Sequence, residues 1–339
     1  MRLIRICRLV SCATICGLLI VAGCAGPSKE AEPVEIEPVQ QEAPIDLVLK
    51  FTPQEITTYR LARENDRSVE WEGPAESRPK GFTGGHSGNR MEMTFTQKIQ
   101  SVEDNGNAIA QITIKALKYL TRVKSNVTLD FDSSKEEDSS NPLGELIGQS
   151  YMVELTPFGD VSKVVDARDA RSAVAGATSG HKLAINLLSD EAIKDRHTIS
   201  ALPDANDHLI HIGESWSRIK SFTFDLMGAK TFEKIYTLDE VRNIRDHRIA
   251  IARMEAVPSA AQAKELYKEQ VTSSFSQMFD NTEKYTGELQ LDLTDGKVVS
   301  CHEEMLIEWF IVDPNPKDDE RPAALRMGTS RLASIERID

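Results

Sequence analysis

Alternation of apolar and polar residues at period two recurs along this 339-residue chain and restricts it to a sheet-dominated fold. Met91, Met93 and Phe95 share one side of an extended segment. Leu289, Leu291 and Leu293 alternate with Glu288, Gln290 and Asp292. Successive side chains of a strand point to opposite faces, so each pattern buries one face and leaves the other wet. Turn formers separate the segments. Asp104-Asn105-Gly106-Asn107 carries the Asn-Gly hairpin signal, and Asp295-Gly296 lies between Leu293 and Val298.

Two blocks of the chain look alike. The first has expected strands at 56–62, 91–99, 112–116 and 127–131. The second starts at Gly213-Glu214-Ser215-Trp216, runs on through Phe222, Phe224 and Leu226, and continues at 231–241, 249–257 and 289–293. The hairpin Leu155-Thr156-Pro157-Phe158-Gly159-Asp160-Val161 parallels Leu293-Thr294-Asp295-Gly296-Lys297-Val298. Either a diverged duplication or the frequent reuse of Asp-Gly turns accounts for this. Helices are expected at 166–177, at 182–200 and at 259–278, where Ser259 would cap an amphipathic stretch. The fold class read from this is α+β, antiparallel and β-rich, with two similar curved-sheet halves (46–200 and 201–339) and helices packed between or across them.

The first residues have a different character. Arg2, Arg5 and Arg8 precede an uncharged stretch that ends in Leu18-Leu19-Ile20-Val21. This is the layout of a secretory signal, too short for a comfortable bilayer span. Val21-Ala22-Gly23-Cys24 resembles the lipobox of bacterial lipoproteins, which places cleavage after Gly23 and acylation on Cys24. Two or more acyl chains suffice for stable anchoring. Residues 25–45 contain Pro27, Pro33, Pro38 and Pro44 and few large apolar side chains, so a disordered tether is expected. The expected localisation is the bacterial cell envelope, on the outer membrane facing the periplasm if the cell is Gram-negative, since Ala25 follows the cysteine.

Loss of Arg2, Arg5 and Arg8 with the signal takes the formal charge from −13 to −16. That balance argues against nucleic-acid binding, which needs a basic footprint. Cys7, Cys12 and Cys16 leave with the signal and Cys24 is lipidated, so Cys301 remains alone and no disulfide forms within one mature chain. Stability must come from a core, which about 295 residues can supply.

The runs Thr128-Leu129-Asp130-Phe131-Asp132-Ser133, Asn141-Pro142-Leu143, Leu146-Ile147-Gly148-Gln149-Ser150-Tyr151 and 155–161 together resemble bacterial lipoproteins of domain-of-unknown-function family 6263. Ile212-Gly213-Glu214-Ser215-Trp216 is similar to that family's Gly-Asp-x-Trp-like strand start. The resemblance spans roughly 47–338. It departs at Thr52-Pro53-Gln54-Glu55, where the family pattern has a glycine-containing turn. It implies export and a β-rich fold, and transfers no catalytic residues.

No motif for catalysis survives inspection. Gly85-His86-Ser87-Gly88 misplaces the second glycine of a nucleophile elbow, and a flexible loop over 73–89 is the expectation. His302-Glu303-Glu304-Met305-Leu306 lacks the second histidine of a zinc-protease helix and sits in a strand pattern. There Val299, Cys301, Met305, Ile307, Trp309 and Ile311 share the apolar face, which makes Cys301 a buried small hydrophobe and sends His302 to the opposite side. His208 and His211, with Asp204, Asp207 and Glu214 nearby, read as ordinary surface composition, and Glu136-Glu137-Asp138 as a solvated loop. Expected catalytic, cofactor and metal sites are therefore none. The functional expectation is a membrane-anchored binding or envelope-structural protein that carries an apolar ligand or meets an envelope protein. The alternative is a hydrolase whose site assembles from distant loops.

Overall fold

Strands run much longer than the alternation alone suggested. The computed structural model describes residues 43–224, 227–260, 278–312 and 322–339. They belong to a compact unit, Glu42–Asp339. Cys24, the signal and nearly all of the tether lie outside the described residues, as does the helix expected over 259–278 apart from its ends.

In chain order the strands are β1 (Ile45–Asp46), β2 (Ile56–Glu72), β3 (Gly85–Val102), β4 (Ala108–Val123), β5 (Asn126–Asp132), β6 (Ser150–Leu155) and β7 (Val161–Asp166). Three short helices follow: α1 (Arg168–Ala173), α2 (Ser179–Leu187) and α3 (Asp190–His197). Then come β8 (Leu209–Ile210), β9 (Ser215–Phe224), β10 (Gly228–Ile244), β11 (His247–Pro258), β12 (Asp280–Asp292), β13 (Lys297–Val312) and β14 (Ala324–Arg337). β1 pairs with β8. The others form one antiparallel 12-stranded sheet in the order β7-β6-β4-β3-β2-β14-β13-β12-β11-β10-β9, with β5 also on β4.

This overturns the expectation of two curved-sheet halves. Apart from the β1–β8 pair, the described strands form a single open sheet, neither split into two halves nor closed by a β7–β9 pairing. The joint is β14, which lies between β13 and β2 along two full ladders. Local patterning marks hairpins, whereas β14 meets β2 across more than 250 residues of sequence (Arg337 opposite Tyr59), a pairing that turn residues cannot encode.

The inner face follows the alternation between β-bulges: in β13 the buried place passes from the expected Val299 to Val298, and β4 shows the same kind of slip. Ala108, Ala110, Ile112 and Ile114 are buried, but the register then shifts by one opposite Thr94 and Phe95. Lys115 is the extra residue, so Leu117 takes the interior place that Ala116 would hold by strict period two. Gly106 accepts its expected role, with φ +84° in the β3–β4 turn. The turn before β2 forms without glycine: Gln54 itself adopts φ +68°, held by its N–H on the Ile99 carbonyl at 2.8 Å. Gly85 to Gly88 is part of β3, paired with β2, and not a loop.

The helices are shorter than expected. The pattern over 182–200 breaks at Ser189, whose hydroxyl accepts from the Ala192 N–H at 3.2 Å and starts α3. Thr178 caps α2 in the same way. Helix residues Ala170, Ala184 and Ile193, with Leu188 just after α2, share one apolar cluster with Phe95, Ile112, Leu117 and Tyr151. The segment after α3 places Ile199, Ala201 and Leu202 against Trp216, Tyr236, Met305 and Trp309. Ile335 on β14 touches both clusters, so the apolar interior is continuous across the joint.

Candidate functional site

The ladder through the joint sets the site. Antiparallel register brings Leu61, Ile335, Cys301 and Leu289 into one cross-strand row over β2, β14, β13 and β12. The next row holds Arg63, Ala333, Glu303 and Gly287, and the third Asn65, Arg331, Met305 and Tyr285. Period two turns all three rows to the same face. Over that floor lie Asp195 and Arg196 of α3, the segment Thr198 to Ser200, and Lys220 to Thr223 of β9. Between them is a cavity of about 450 Å³. That volume is in the range of small-molecule sites.

Its wall contains a buried polar network. The Lys234 ammonium, 1% exposed, lies 2.8 Å from Glu303 Oε1 and donates to Ser200 Oγ at 2.6 Å. Tyr236 donates to the same carboxylate oxygen at 2.8 Å, and Tyr285 donates to Oε2. Gly287 leaves room for this carboxylate: a Cβ there would stand 3.2 Å from Glu303 Cγ and 2.6 Å from the His302 carbonyl. Burial alone would raise the Glu303 pKa, but the Lys234 charge and the donated hydrogen bonds outweigh it and hold it below the usual carboxylate range. Burial and the adjacent Glu303 charge push the Cys301 thiol up to about 12. Both tyrosines are raised by burial first and Glu303 second.

Chemically this is a network that stays in one protonation state. Cys301 is buried and protonated at neutral pH, so no thiolate nucleophile is present. His302 lies exposed on the opposite face, as its parity requires. Glu303 already accepts from an ammonium and two hydroxyls, which leaves little basicity for taking a substrate proton. At the mouth, Asp195 pairs with Arg63 from β2 and with Lys220 from β9 at 3.3 Å, fastening α3 over the cavity.

The remaining sequence candidates do not converge here. His86 lies 3.1 Å from Asp66 and 3.4 Å from Glu70, and Ser87 Oγ accepts from the Lys124 N–H, so the segment pairs strands. His208 faces Asp46 at 2.9 Å, while the His211 N–H donates to Glu214. Asp138 accepts the Asp132 N–H at 2.8 Å within its loop. The metal-ligating cluster among the described residues is one that no motif announced: His247, Asp292 and Asp295, with ligand atoms within 4.8 Å of one another. Arg337 already faces it, 3.4 Å from Asp292 and 3.7 Å from Asp295. Asp292 also accepts from the backbone of Thr294 and Asp295. The group therefore clamps two hairpin ends to β14, and a cation would compete with the guanidinium.

The model of a family of unknown function, DUF6263, matches residues 105–297, more than half of the chain. The chain belongs to the DUF6263 family. The matched span includes β4 to β12 and hence Lys234, Tyr236 and Tyr285 of the network, while Glu303 and Arg331 lie beyond it. No curated protein matches this DUF6263 member. Solved structures that match it include the following two. A lipovitellin structure, described for its lipid–protein interactions, shares 12% identity over 86% of this chain at a TM-score of 0.42. The chain spans 26% of that lipovitellin chain. DynF, from the dynemicin biosynthesis pathway of Micromonospora chersina, shares 11% identity over 89% of this chain and 93% of its own, at a TM-score of 0.18.

Proposed function

We propose that this protein is a lipid-anchored binding protein of the bacterial cell envelope, and that its cavity takes a small ligand with an apolar body. The cavity of about 450 Å³ on the inner sheet face carries this reading. Leu61, Met305, Ala333 and Ile335 give it apolar walls, and the Glu303 network is committed to its own partners. Arg63, Asn65, Asp195, Lys220 and Arg331 line it as well, so apolar and charged groups share one preformed concave space of the size a small-molecule binder needs.

The signal layout and Val21-Ala22-Gly23-Cys24 support export and acylation at Cys24. Expressed with radiolabelled palmitate, the full chain is expected to carry label, and Cys24→Ser to carry none. Label on the serine variant would defeat the assignment of Cys24.

All described strands and both apolar clusters lie within Glu42–Asp339, so that unit brings its own core. Native mass spectrometry of it, purified without detergent, is expected to show a bound small molecule that leaves on denaturation. A bare polypeptide mass in repeated preparations would remove the tight-carrier reading.

A further inference from the structure

The cations around the cavity are not equally engaged. Arg63 and Lys220 share Asp195. Arg196 donates to Tyr151 at 3.1 Å and to the Leu187 carbonyl at 3.0 Å. Arg331 differs. Among the described residues no carboxylate lies within ion-pair distance of it, and its hydrogen bond, to the Thr223 carbonyl, is 3.5 Å long. Its guanidinium instead lies over the rings of Phe222, at 4.8 Å, and Phe224, at 5.4 Å. These contacts orient the planar fork and leave its donors without a strong acceptor. The inner carboxylates offer none, since Asp195 and Glu303 are held by other cations. Burial first, then the charge of Arg67, pull its pKa down, against smaller opposing contributions from Asp195 and Tyr285. An arginine nonetheless stays charged at neutral pH.

The geometry points to Arg331 as the anchor for the acidic head of an amphiphilic ligand whose apolar chain lies along Leu61, Met305, Ala333 and Ile335. This rests on the cavity-binding reading above and narrows it to anions: a single carboxylate or phosphate that the guanidinium can hold with two parallel hydrogen bonds. The polarity fits. Arg331 sits in the row beside Met305 and Asn65, and the apolar residues Ile335 and Leu61 lie two rows along the same floor. Head and chain thus take opposite ends of one floor, with the row of Arg63, Ala333 and Glu303 between them.

Displacement of the neutral fluorophore N-phenyl-naphthylamine from the Glu42–Asp339 unit tests this with dodecanoate, dodecyl phosphate and dodecanol. The anions are expected to compete about ten- to a hundredfold better than the alcohol, the worth of a charge-assisted hydrogen-bond pair. The tighter of the two identifies the head group. Arg331→Gln is expected to abolish that preference, and Arg331→Lys to keep part of it. Equal competition by all three with the unsubstituted protein overturns the anchor and leaves the apolar cavity standing. Displacement of the dye by none of them, or failure of the dye to bind, overturns the anchor together with the cavity reading. The comparison of ligands on the unsubstituted protein does not depend on how well either variant folds.

Discussion

Replacing Lys234 by alanine is expected to destabilise the folded unit by about 3–5 kcal/mol, read as a lower urea midpoint at unchanged slope. Lys234 occupies the buried phase of β10, where Phe232, Tyr236 and Leu238 are its neighbours at period two. Its ammonium is the charge that allows Glu303 to stay ionised in the interior. Without it the carboxylate remains desolvated beside two tyrosine hydroxyls. The cost should fall largely on that unpaired charge, not on the lost contact itself. Lys234→Met combined with Glu303→Gln should therefore recover most of the loss, because the amide oxygen still accepts from one tyrosine and its NH2 can donate to the hydroxyl oxygen of the other, while no charge is buried. The coupling between the two substitutions should exceed 1 kcal/mol, of the order seen for contacting residues. Additive effects would mean that the pair is solvated and the network does not hold the interior together.

The second large effect is in pH. His197 is 5% exposed, with its Nε2 2.6 Å from the Tyr151 hydroxyl and its ring edge-on to Phe95 at 4.8 Å. Burial first, then the charges of Arg196 and Arg63, hold its pKa well below the ordinary histidine range, so it is neutral in the fold. In the unfolded chain it takes a proton near pH 6.5. Below that pH the unfolded state binds one proton more than the native state, and stability falls as pH falls, by about 1.4 kcal/mol per unit for this group alone. Urea unfolding at several pH values between 7.5 and 5 should show a slope that His197→Gln reduces by one proton's worth. Parallel curves for the two proteins would mean that His197 is protonated in the native state. The Glu303 depression acts in the same direction at lower pH. Its stabilisation is present above the usual carboxylate pKa and is lost as pH falls through the depressed one.

Both sites were partly legible in the sequence. Period two assigned Cys301 and Met305 to an apolar face and His302 to the other, and the burial pattern agrees. The same parity puts Glu303 inside, but an isolated charge on an apolar face belongs to no motif. Lys234 in β10 is the same kind of exception, with opposite sign. Two lone, opposite charges in buried phases of different strands were the available signal. Nothing local could say that they meet, since β10 and β13 are separated in the sheet by β12 and β11. His247, Asp292 and Asp295 come together for a similar reason: adjacent hairpin ends of one sheet converge although their sequence positions do not.

Period-two alternation and turn chemistry determined by themselves that the chain would form antiparallel strands, which residues most of them bury, and where β3–β4 and β12–β13 would turn. These are properties of neighbouring residues, set by the pleat and by the φ values that turns require. Only the tertiary structure decided that the hairpins join through β14 and β2 into one open sheet, that Lys115 is extruded, and that Arg331 faces a cavity among aromatic rings. Those outcomes depend on contacts far apart in the chain, whose energies arise when burial is shared across strands and which no short stretch of sequence contains.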